Sequence, residues 1–434
     1  MTTQTDAAGD ARPRLRRHVV ATVIGNALEF YDFTTYAFFA APIGQAFFPG
    51  RSPFEQLMLS LATFGVGFVS RPIGAVIIGR YGDRAGRRPA MVVSFALMGL
   101  AMLALGLTPS YARIGLLAPA IVVAARLLQG FALGGEFGPT SAYLLEAAPA
   151  GARGLHSAWQ GASQGLAILL AGLIGLALSV LLGPAALQAW GWRIAFLLGA
   201  AALPFGLILR TSLPETLSTT PRAAVDRQAV KRPGAGYRRT LALGFVMVMS
   251  ATTLTYVLTY MTTYASASLH LHTNIAFTAT VVGGACSLAA CLAGGRMSDR
   301  FGRKSLMVWP RVLLLLAIYP AFQLIARFHD AAALLGATAV LAILGSLSAA
   351  AALAWFTEAL PMRLRSASLG IVYTGAVTLF GGTTQLVVTW LIHLSGDIRA
   401  PAFYLIVTTA LGILAAVLAG ETAPIAASME PSTA

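Results

Sequence analysis

Charged residues are scarce in this chain, and their scarcity excludes an ordinary soluble protein. Of the 434 residues, 57% are hydrophobic and only 11% are charged. Soluble domains average about 25% charged residues, so a soluble protein of this composition could not cover its surface with polar groups. We therefore expect lipid to be the solvent for most of the surface.

Cysteines, targeting signals and nucleotide-binding motifs are also sparse or missing. The two cysteines, Cys286 and Cys291, share one apolar segment and indicate no disulfide framework. Residues 1–18 are polar and basic, and the apolar stretch after them is too long for a secretory signal. No phosphate-binding loop is present, so we do not expect ATP to drive this protein. We expect no cofactor.

An enzyme or a metal protein has little support. A membrane enzyme would need a nucleophile, a base or metal ligands clustered at membrane depth, whereas the six histidines lie mostly at predicted helix ends. His270 and His272 share a short predicted loop and could bind a metal, although such a surface pair is more often incidental. We expect no enzymatic activity and no metal site.

The apolar residues form segments long enough to cross a bilayer, which takes about 20 residues in a helix. The twelve segments are 19–48, 57–80, 90–108, 114–145, 155–182, 193–211, 240–264, 276–297, 305–327, 332–358, 367–394 and 401–420. We predict an all-α membrane protein of twelve transmembrane helices in two six-helix halves. Its parts are a basic cytoplasmic tail at 1–18, a first bundle at 19–211, a cytoplasmic linker at 212–239, a second bundle at 240–420 and a tail at 421–434.

The formal net charge of +14 could suggest a nucleic-acid partner, but the positions of the basic residues argue against one. Nearly all of them lie in short polar gaps between apolar segments. With the amino terminus in the cytoplasm, most fall on the cytoplasmic side, and this asymmetry sets membrane orientation. Those on the opposite side are Arg51, Arg113, Arg193, Arg327 and Arg399. We predict that both termini are cytoplasmic, in the cell (inner) membrane.

Two short patterns each occur twice, which indicates duplicated halves. The first runs Gly79-x-x-x-Asp83-Arg84-x-Gly86-Arg87-Arg88 and returns as Gly295-x-x-x-Asp299-Arg300-x-Gly302-Arg303-Lys304. The second runs Glu146-x-x-Pro149-x-x-x-Arg153 and returns as Glu358-x-x-Pro361-x-x-x-Arg365. In each half the first pattern follows the second helix and the other follows the fourth. Such repeats are typical of secondary transporters, in which the substrate binds near the midplane between the halves.

The loop from Gly79 to Arg88 resembles the signature between helices 2 and 3 of the major facilitator superfamily, and the resemblance extends over the whole chain. Several stretches resemble its metabolite:proton symporters, which carry citrate, dicarboxylates, shikimate or betaines. These are 25–33 (GNALEFYDF), 71–74 (RPIG), 129–136 (QGFALGGE) and 190–193 (WGWR). Two more, 157–164 (SAWQGASQ) and 394–397 (LSGD) before Pro401, resemble the citrate and tricarballylate branch.

Charged side chains inside a bilayer are costly, by about 2.5–3.5 kcal/mol each, so those retained mark candidate sites. Glu29 and Asp32 share one face of helix 1 near mid-depth, and Arg126 of helix 4 lies at matching depth. We predict that Asp32, then Glu29 and Glu136, couple protons, and that Arg126 binds a substrate carboxylate. In the empty state we expect Arg126 to pair with Glu29 or Asp32. The alternative is a structural ion cluster.

Uncharged polar residues at membrane depth could bind the rest of a small polar solute. The candidates for substrate binding besides Arg126 are Tyr36, Gln160, Gln164, Tyr256, Tyr260 and Gln385. For each of these, hydrogen bonding between helices or an aromatic packing stripe is the alternative. Arg71 and Arg311 are the other buried cations, and both are predicted in the cytoplasmic third, where snorkelling or gate contacts suffice. Glycines at 130, 134 and 138 predict close helix packing.

The resemblance implies that the two repeated loops act as latches on the cytoplasmic side. The gating candidates are Asp83, Arg84, Arg87, Asp299, Arg300, Glu146, Arg153, Glu358 and Arg365. Simple anchoring of the loops by their positive charge is the alternative.

We expect a proton-coupled importer of a small organic acid, with citrate, tricarballylate or a related di- or tricarboxylate as substrate. The expected partners are that anion, protons and the lipid bilayer, and the functional unit is expected to be a monomer. A symporter of a zwitterion such as a betaine is the alternative. A channel is not excluded by chemistry, but duplicated halves and buried acids favour alternating access. A sensor built on a transporter fold would carry a long additional domain, which this sequence does not contain.

Overall fold

The computed structural model is almost entirely helical. It describes residues 4–50, 52–85, 87–134, 137–149, 151–211, 235–362 and 364–422, and no β-strand occurs within them. Its helices form twelve spans in two sets of six, several of them interrupted. This confirms the fold class expected from the sequence.

The first six spans end close to the predicted segments and, apart from span 1, which begins at Gln4 and not at residue 19, they also begin close to them. They are span 1 (Gln4–Phe38 and Ala40–Phe47), span 2 (Pro53–Val69 and Arg71–Ala85), span 3 (Arg87–Leu107), span 4 (Leu117–Leu133 and Phe137–Glu146), span 5 (Arg153–Ala186) and span 6 (Trp192–Thr211). A short helix, Tyr111–Ile114, precedes span 4, and a π-helical turn, Leu187–Gly191, precedes span 6.

The last six spans start at Ala235, and residues 212–234 of the predicted linker lie outside the described residues. They are span 7 (Ala235–Thr263), span 8 (Thr273–Phe301), span 9 (Arg303–Phe328), span 10 (Ala331–Ala359), span 11 (Arg365–Ala376 and Gly382–Ser395) and span 12 (Ala400–Leu418). A π-helical turn, Tyr264–Ser268, ends span 7, and another, Val377–Gly381, joins the two parts of span 11.

The helices satisfy the backbone within each span, as lipid requires. Within the described part of the chain, nine stretches are long and apolar enough to cross a membrane. One of them, Arg153–Ile208, contains span 5 and most of span 6. Near the end of span 5, Gly183 has a φ of 72°, in the left-handed region that favours glycine, and it interrupts the helix there.

The predicted glycine stripe of span 4 makes close helix contacts in two directions. A Cβ at Gly130 would collide with the carbonyl oxygen of Gly67 in span 2, and one at Gly134 would collide with the carbonyl oxygen of Arg71. A Cβ at Gly138 would collide with the Ser366 carbonyl oxygen of span 11. The stripe therefore fixes how span 4 is rotated against span 2, and with it the direction of the side chains that both helices carry.

The two halves touch at both ends of their interface. On the side of the chain termini, the Arg365 guanidinium lies 3.1 Å from the Glu146 carboxylate. On the opposite side, the rings of Phe54 and His393 stack with centroids 3.8 Å apart, and the Thr263 hydroxyl donates to the Ala37 carbonyl at 3.4 Å. A cavity lies between these contacts.

Candidate functional site

The central cavity is lined by residues of both halves. Its wall is largely aromatic and aliphatic, with Phe33 and Phe64 from the first half and Tyr256, Phe356 and Tyr373 from the second. Of the described residues, those lining it are all uncharged. A ligand here would meet rings, methyl groups and hydroxyls before any formal charge.

Three of the predicted substrate-binding residues line this cavity: Gln160, Gln164 and Tyr256. The Gln160 amide donates to the Asn26 carbonyl oxygen at 3.2 Å, and the Asn26 amide donates to the Ser163 hydroxyl. The side-chain oxygen of Gln160 makes no hydrogen bond in the structure. The chain of amides from span 1 to span 5 therefore holds Gln160 in place and leaves it an acceptor for a ligand hydroxyl or protonated carboxyl.

The charged cluster predicted in the first half lies directly behind the cavity wall. Asp32 and Arg126 are both fully buried, at 0% exposure, and they interact electrostatically. Arg126 donates from Nη1 to the Gln129 side-chain oxygen at 2.6 Å, while its Nε and Nη2 and both carboxylate oxygens of Asp32 make no hydrogen bond. The expected pairing of Arg126 with Glu29 or Asp32 stays a prediction: Arg126 and Asp32 interact through their charges, without a direct hydrogen bond.

Aromatic rings separate this cluster from the cavity. The Arg126 guanidinium carbon lies 4.3 Å from the ring centre of Phe33, 4.5 Å from that of Tyr36 and 5.1 Å from that of Phe64. Because Phe33 and Phe64 line the cavity and Tyr36 does not, the first two rings form the partition. Cation–π contacts of this kind hold a guanidinium in place without neutralising it.

Arg71, predicted in the cytoplasmic third, contacts the same aromatic rings and belongs to the same cluster. It is 5% exposed, and its guanidinium carbon lies 4.4 Å from the Phe33 ring centre and 4.3 Å from that of Phe68. It also interacts electrostatically with Tyr256 across the cavity wall. The two helices of span 2 meet at Ser70, just before Arg71, and Ser70 keeps helical dihedral angles (φ −79°, ψ −13°).

The other residues predicted to couple protons or bind substrate are buried, except Glu136, which lies outside the described residues. Glu29 is buried one helical turn from Asp32. The Tyr36 hydroxyl donates to the Ser60 carbonyl at 3.3 Å. Tyr260 and Gln385 are buried in the second half, away from the cavity wall, and Gln385 donates to the Tyr256 carbonyl at 3.5 Å.

Comparison with known sequences decides the family. The profile described as Major Facilitator Superfamily matches residues 22–318. The chain belongs to the major facilitator superfamily. It is 36% identical over 400 residues to a citrate-proton symporter of Klebsiella pneumoniae, covering 92% of this chain and 90% of that one. It is also 35% identical to a glycine betaine/proline/ectoine/pipecolic acid transporter, OusA, of Dickeya dadantii, covering 94% and 84%.

Solved structures agree on the fold of this transporter. The proton:xylose symporter XylE, bound to 6-bromo-6-deoxy-D-glucose, superposes with a TM-score of 0.75 at 18% sequence identity, covering 95% of this chain and 97% of the other. An inward open form of XylE from E. coli gives 0.69. At this identity the likeness to XylE shows the fold alone. The relatives named above are transporters, and this chain is likewise a multi-pass membrane transporter and not an enzyme.

The repeated loop of the second half of the transporter forms an ionic network on the terminal side. The Asp299 carboxylate accepts from the backbone N–H groups of Gly154 (2.7 Å) and Leu155 (2.9 Å) at the start of span 5. It also accepts from Arg303 Nη1 at 2.8 Å, and Arg303 makes a two-pronged contact with Glu358 at 2.9 and 3.1 Å. Asp299 of the second half is therefore hydrogen-bonded to the first half, at the amino terminus of span 5. A helix amino terminus favours a negative charge.

The remaining gating candidates contribute unequally. Glu146 and Arg365 form the second link between the halves, with Glu146 44% exposed. Arg84, Arg153 and Arg300 are exposed. The side chains of Asp83 and Arg87 lie outside the described ones.

Sequence reasoning missed several participants in both sites. The residues not predicted are Phe33 and Phe64 at the cavity, Asn26 and Gln129 behind it, and Arg303 at the centre of the loop network. Arg71, also behind the cavity wall, was expected only to snorkel or to make gate contacts. A signal existed for most of them, because they lie inside the stretches that resemble the symporters. Their aromatic and amide side chains, however, look like ordinary packing until the helices are assembled.

Proposed function

We propose that this transporter is a proton-coupled importer of a small organic anion, with citrate, tricarballylate or a related di- or tricarboxylate as substrate. The observation that carries the proposal is the pair of Arg126 and Asp32, buried together behind the wall of the central cavity. The names of the relatives support it, since citrate-proton symporters of Klebsiella pneumoniae and Salmonella typhi are 36% and 35% identical to this chain over 92% of its length.

Competition for Arg126 couples the anion to the proton. Two guanidinium nitrogens of Arg126 make no hydrogen bond, so a substrate carboxylate can accept from them in a two-pronged contact. Asp32 would then share one cation with the substrate in a water-poor pocket, where two like charges repel strongly. Protonation of Asp32 removes the repulsion. Anion and proton therefore bind together, and Glu29 and Glu136 are the next candidates for the proton.

The cavity supplies the uncharged part of the substrate site. Gln160, Gln164 and Tyr256 line it and can bind hydroxyl groups or further carboxyl oxygens of a tricarboxylate. Tyr36, Tyr260 and Gln385 would act by holding Arg126 and Tyr256 in position instead of touching the substrate.

Alternating access would move the bundles 19–211 and 240–420 against each other about the linker 212–239. Asp299, Glu146 and Arg365 would hold the terminal side shut, and we assign that side to the cytoplasm because the basic loops lie there. Phe54 and His393 would close the opposite side. A single copy in the cell (inner) membrane contains every element of this cycle.

One observation favours a zwitterion such as a betaine as a second candidate. The cavity wall is aromatic and uncharged, and a quaternary ammonium group binds to the faces of such rings. Betaine transporters are also among the relatives, including OusA.

Uptake into liposomes discriminates between the two substrates. The purified transporter would be reconstituted with a pH gradient, and accumulation of labelled citrate, tricarballylate and glycine betaine would be compared with and without a protonophore. We expect carboxylate accumulation that the protonophore abolishes. Accumulation of betaine without any carboxylate uptake would replace the first proposal by the second.

A further inference from the structure

One phenylalanine ring, Phe33, contacts two arginines. The guanidinium carbons of Arg71 and Arg126 lie 4.4 and 4.3 Å from the Phe33 ring centre. The two carbons are therefore no farther apart than twice that distance. Phe33 itself is 3% exposed and forms part of the cavity wall. Two like-charged groups are thus held close together, with only an aromatic ring between them and the cavity.

Both arginines have unused donors. Nε of Arg71 and Nε and Nη2 of Arg126 are buried and make no hydrogen bond in the structure. The acid that acts on Arg126 electrostatically, Asp32, also leaves both its oxygens without a hydrogen bond. Buried polar atoms without partners are rare in folded proteins and need an explanation. An anion that enters between the two guanidiniums supplies acceptors for all three nitrogens.

We propose that Arg71 and Arg126 together form a two-arginine site for a substrate with two or more carboxylates, and that Phe33 is the shutter that closes it. This inference rests on the proposed function and deepens it. A single arginine is a sparse counter-ion for a tricarboxylate, whereas two planar guanidiniums can each hold one carboxylate. Arg71 would then distinguish di- and tricarboxylates from monocarboxylates.

The cavity offers room for the shutter to open. Because Phe33 forms part of the cavity wall, its ring can rotate toward the cavity and away from the arginines. Tyr256 connects the shutter to the second half, because its ring packs against Phe64 (5.9 Å) and Phe68 (5.6 Å), the neighbours of Phe33. Movement of the second half would therefore change the contacts that Phe64 and Phe68 make with the Phe33 ring.

Equilibrium binding on the detergent-solubilised full chain tests the role of Arg71. We expect Arg71→Lys and Arg71→Gln to weaken binding of citrate and tricarballylate about tenfold or more, and to change binding of a monocarboxylate much less. Arg311→Gln is the matched control, because Arg311 is also a buried arginine (3% exposed) but does not line the cavity or contact Phe33. Tricarboxylate affinity in the folded Arg71→Lys protein equal to that of the parent would overturn the two-arginine site.

Chemical modification tests the shutter independently of transport. Phenylglyoxal reacts with exposed arginines, and mass spectrometry can follow Arg71 and Arg126 separately. We expect both to react severalfold faster in Phe33→Ala than in the parent or in Phe322→Ala, which removes a fully buried ring elsewhere. Unchanged rates in Phe33→Ala would refute the shutter.

The two proposals fail in different ways. If the parent protein binds betaine and no carboxylate, the proposed function fails and the two-arginine site fails with it. If the parent binds citrate and Arg71 is dispensable, the anion transporter stands and only the two-arginine site is wrong.

Discussion

Replacing Asp299 by asparagine should open the terminal side of the transporter. The carboxylate of Asp299 is the acceptor for two backbone N–H groups of span 5, at Gly154 (2.7 Å) and Leu155 (2.9 Å). Asparagine keeps the shape of the side chain but loses the charge and offers only one acceptor oxygen. At least one of the two N–H groups is then left without its partner, and the link between the halves weakens.

The size of the effect follows from these contacts. A hydrogen bond to a charged group contributes about 1.5–3 kcal/mol, so we take the loss as about 2 kcal/mol. Each 1.4 kcal/mol changes an equilibrium constant tenfold, which gives roughly a 30-fold larger open population. Arg303 keeps its contact with Glu358 at 2.9 Å, so the substitution does not leave a buried cation unpaired.

A native cysteine, Cys291, can report opening of the terminal side. Cys291 is buried and lines the cavity, and with Cys286 replaced by serine it is the one thiol left to label. We expect a maleimide to label Cys291 roughly 30-fold faster in Asp299→Asn than in the parent protein, following the open population.

Asp330→Asn is the matched control for this experiment. The Asp330 carboxylate also accepts from a helix-terminal N–H, that of Ala333 at 2.8 Å, but within one half and on the opposite side. Equal labelling rates in the two variants would refute the assignment of Asp299 as a latch.

Three further predictions concern the buried charges and the helix packing. Asp32→Asn should abolish uptake driven by a pH gradient while substrate exchange continues, because asparagine cannot bind and release a proton. If this variant still accumulates substrate against a gradient, another acid is the proton carrier. Arg126→Lys should weaken carboxylate binding about tenfold or more through loss of the two-pronged contact, and Arg126→Ala should bind none, as measured by isothermal titration. Near-normal affinity in folded Arg126→Ala would contradict the anion site. Gly130→Ala should lower stability by about 3 kcal/mol or more in thermal unfolding, because its Cβ would collide with the Gly67 carbonyl. Gly79→Ala, whose Cβ would have nothing within 4 Å, should unfold like the parent.

The number and class of the helices follow from local sequence alone. In lipid each span must satisfy its own backbone hydrogen bonds, so a local run of apolar residues is sufficient to specify it. The cost of burying charge also pointed directly to Asp32 and Arg126, which the structure places together at 0% exposure. Repetition of the Asp83 and Asp299 patterns revealed the duplicated halves without any knowledge of contacts.

Tertiary packing decided which side chains meet and which face the cavity. The sequence predicted Arg71 in the cytoplasmic third, where snorkelling or gate contacts suffice, but it could not show that Arg71 lies against Phe33, beside the close approach of span 4. Tyr256 and Tyr260 are one turn apart on span 7, yet only Tyr256 lines the cavity. Hydropathy reports how deep a residue lies along its helix. The rotation of that helix depends on contacts as local as Gly130 against Gly67, and these form only when the helices are assembled.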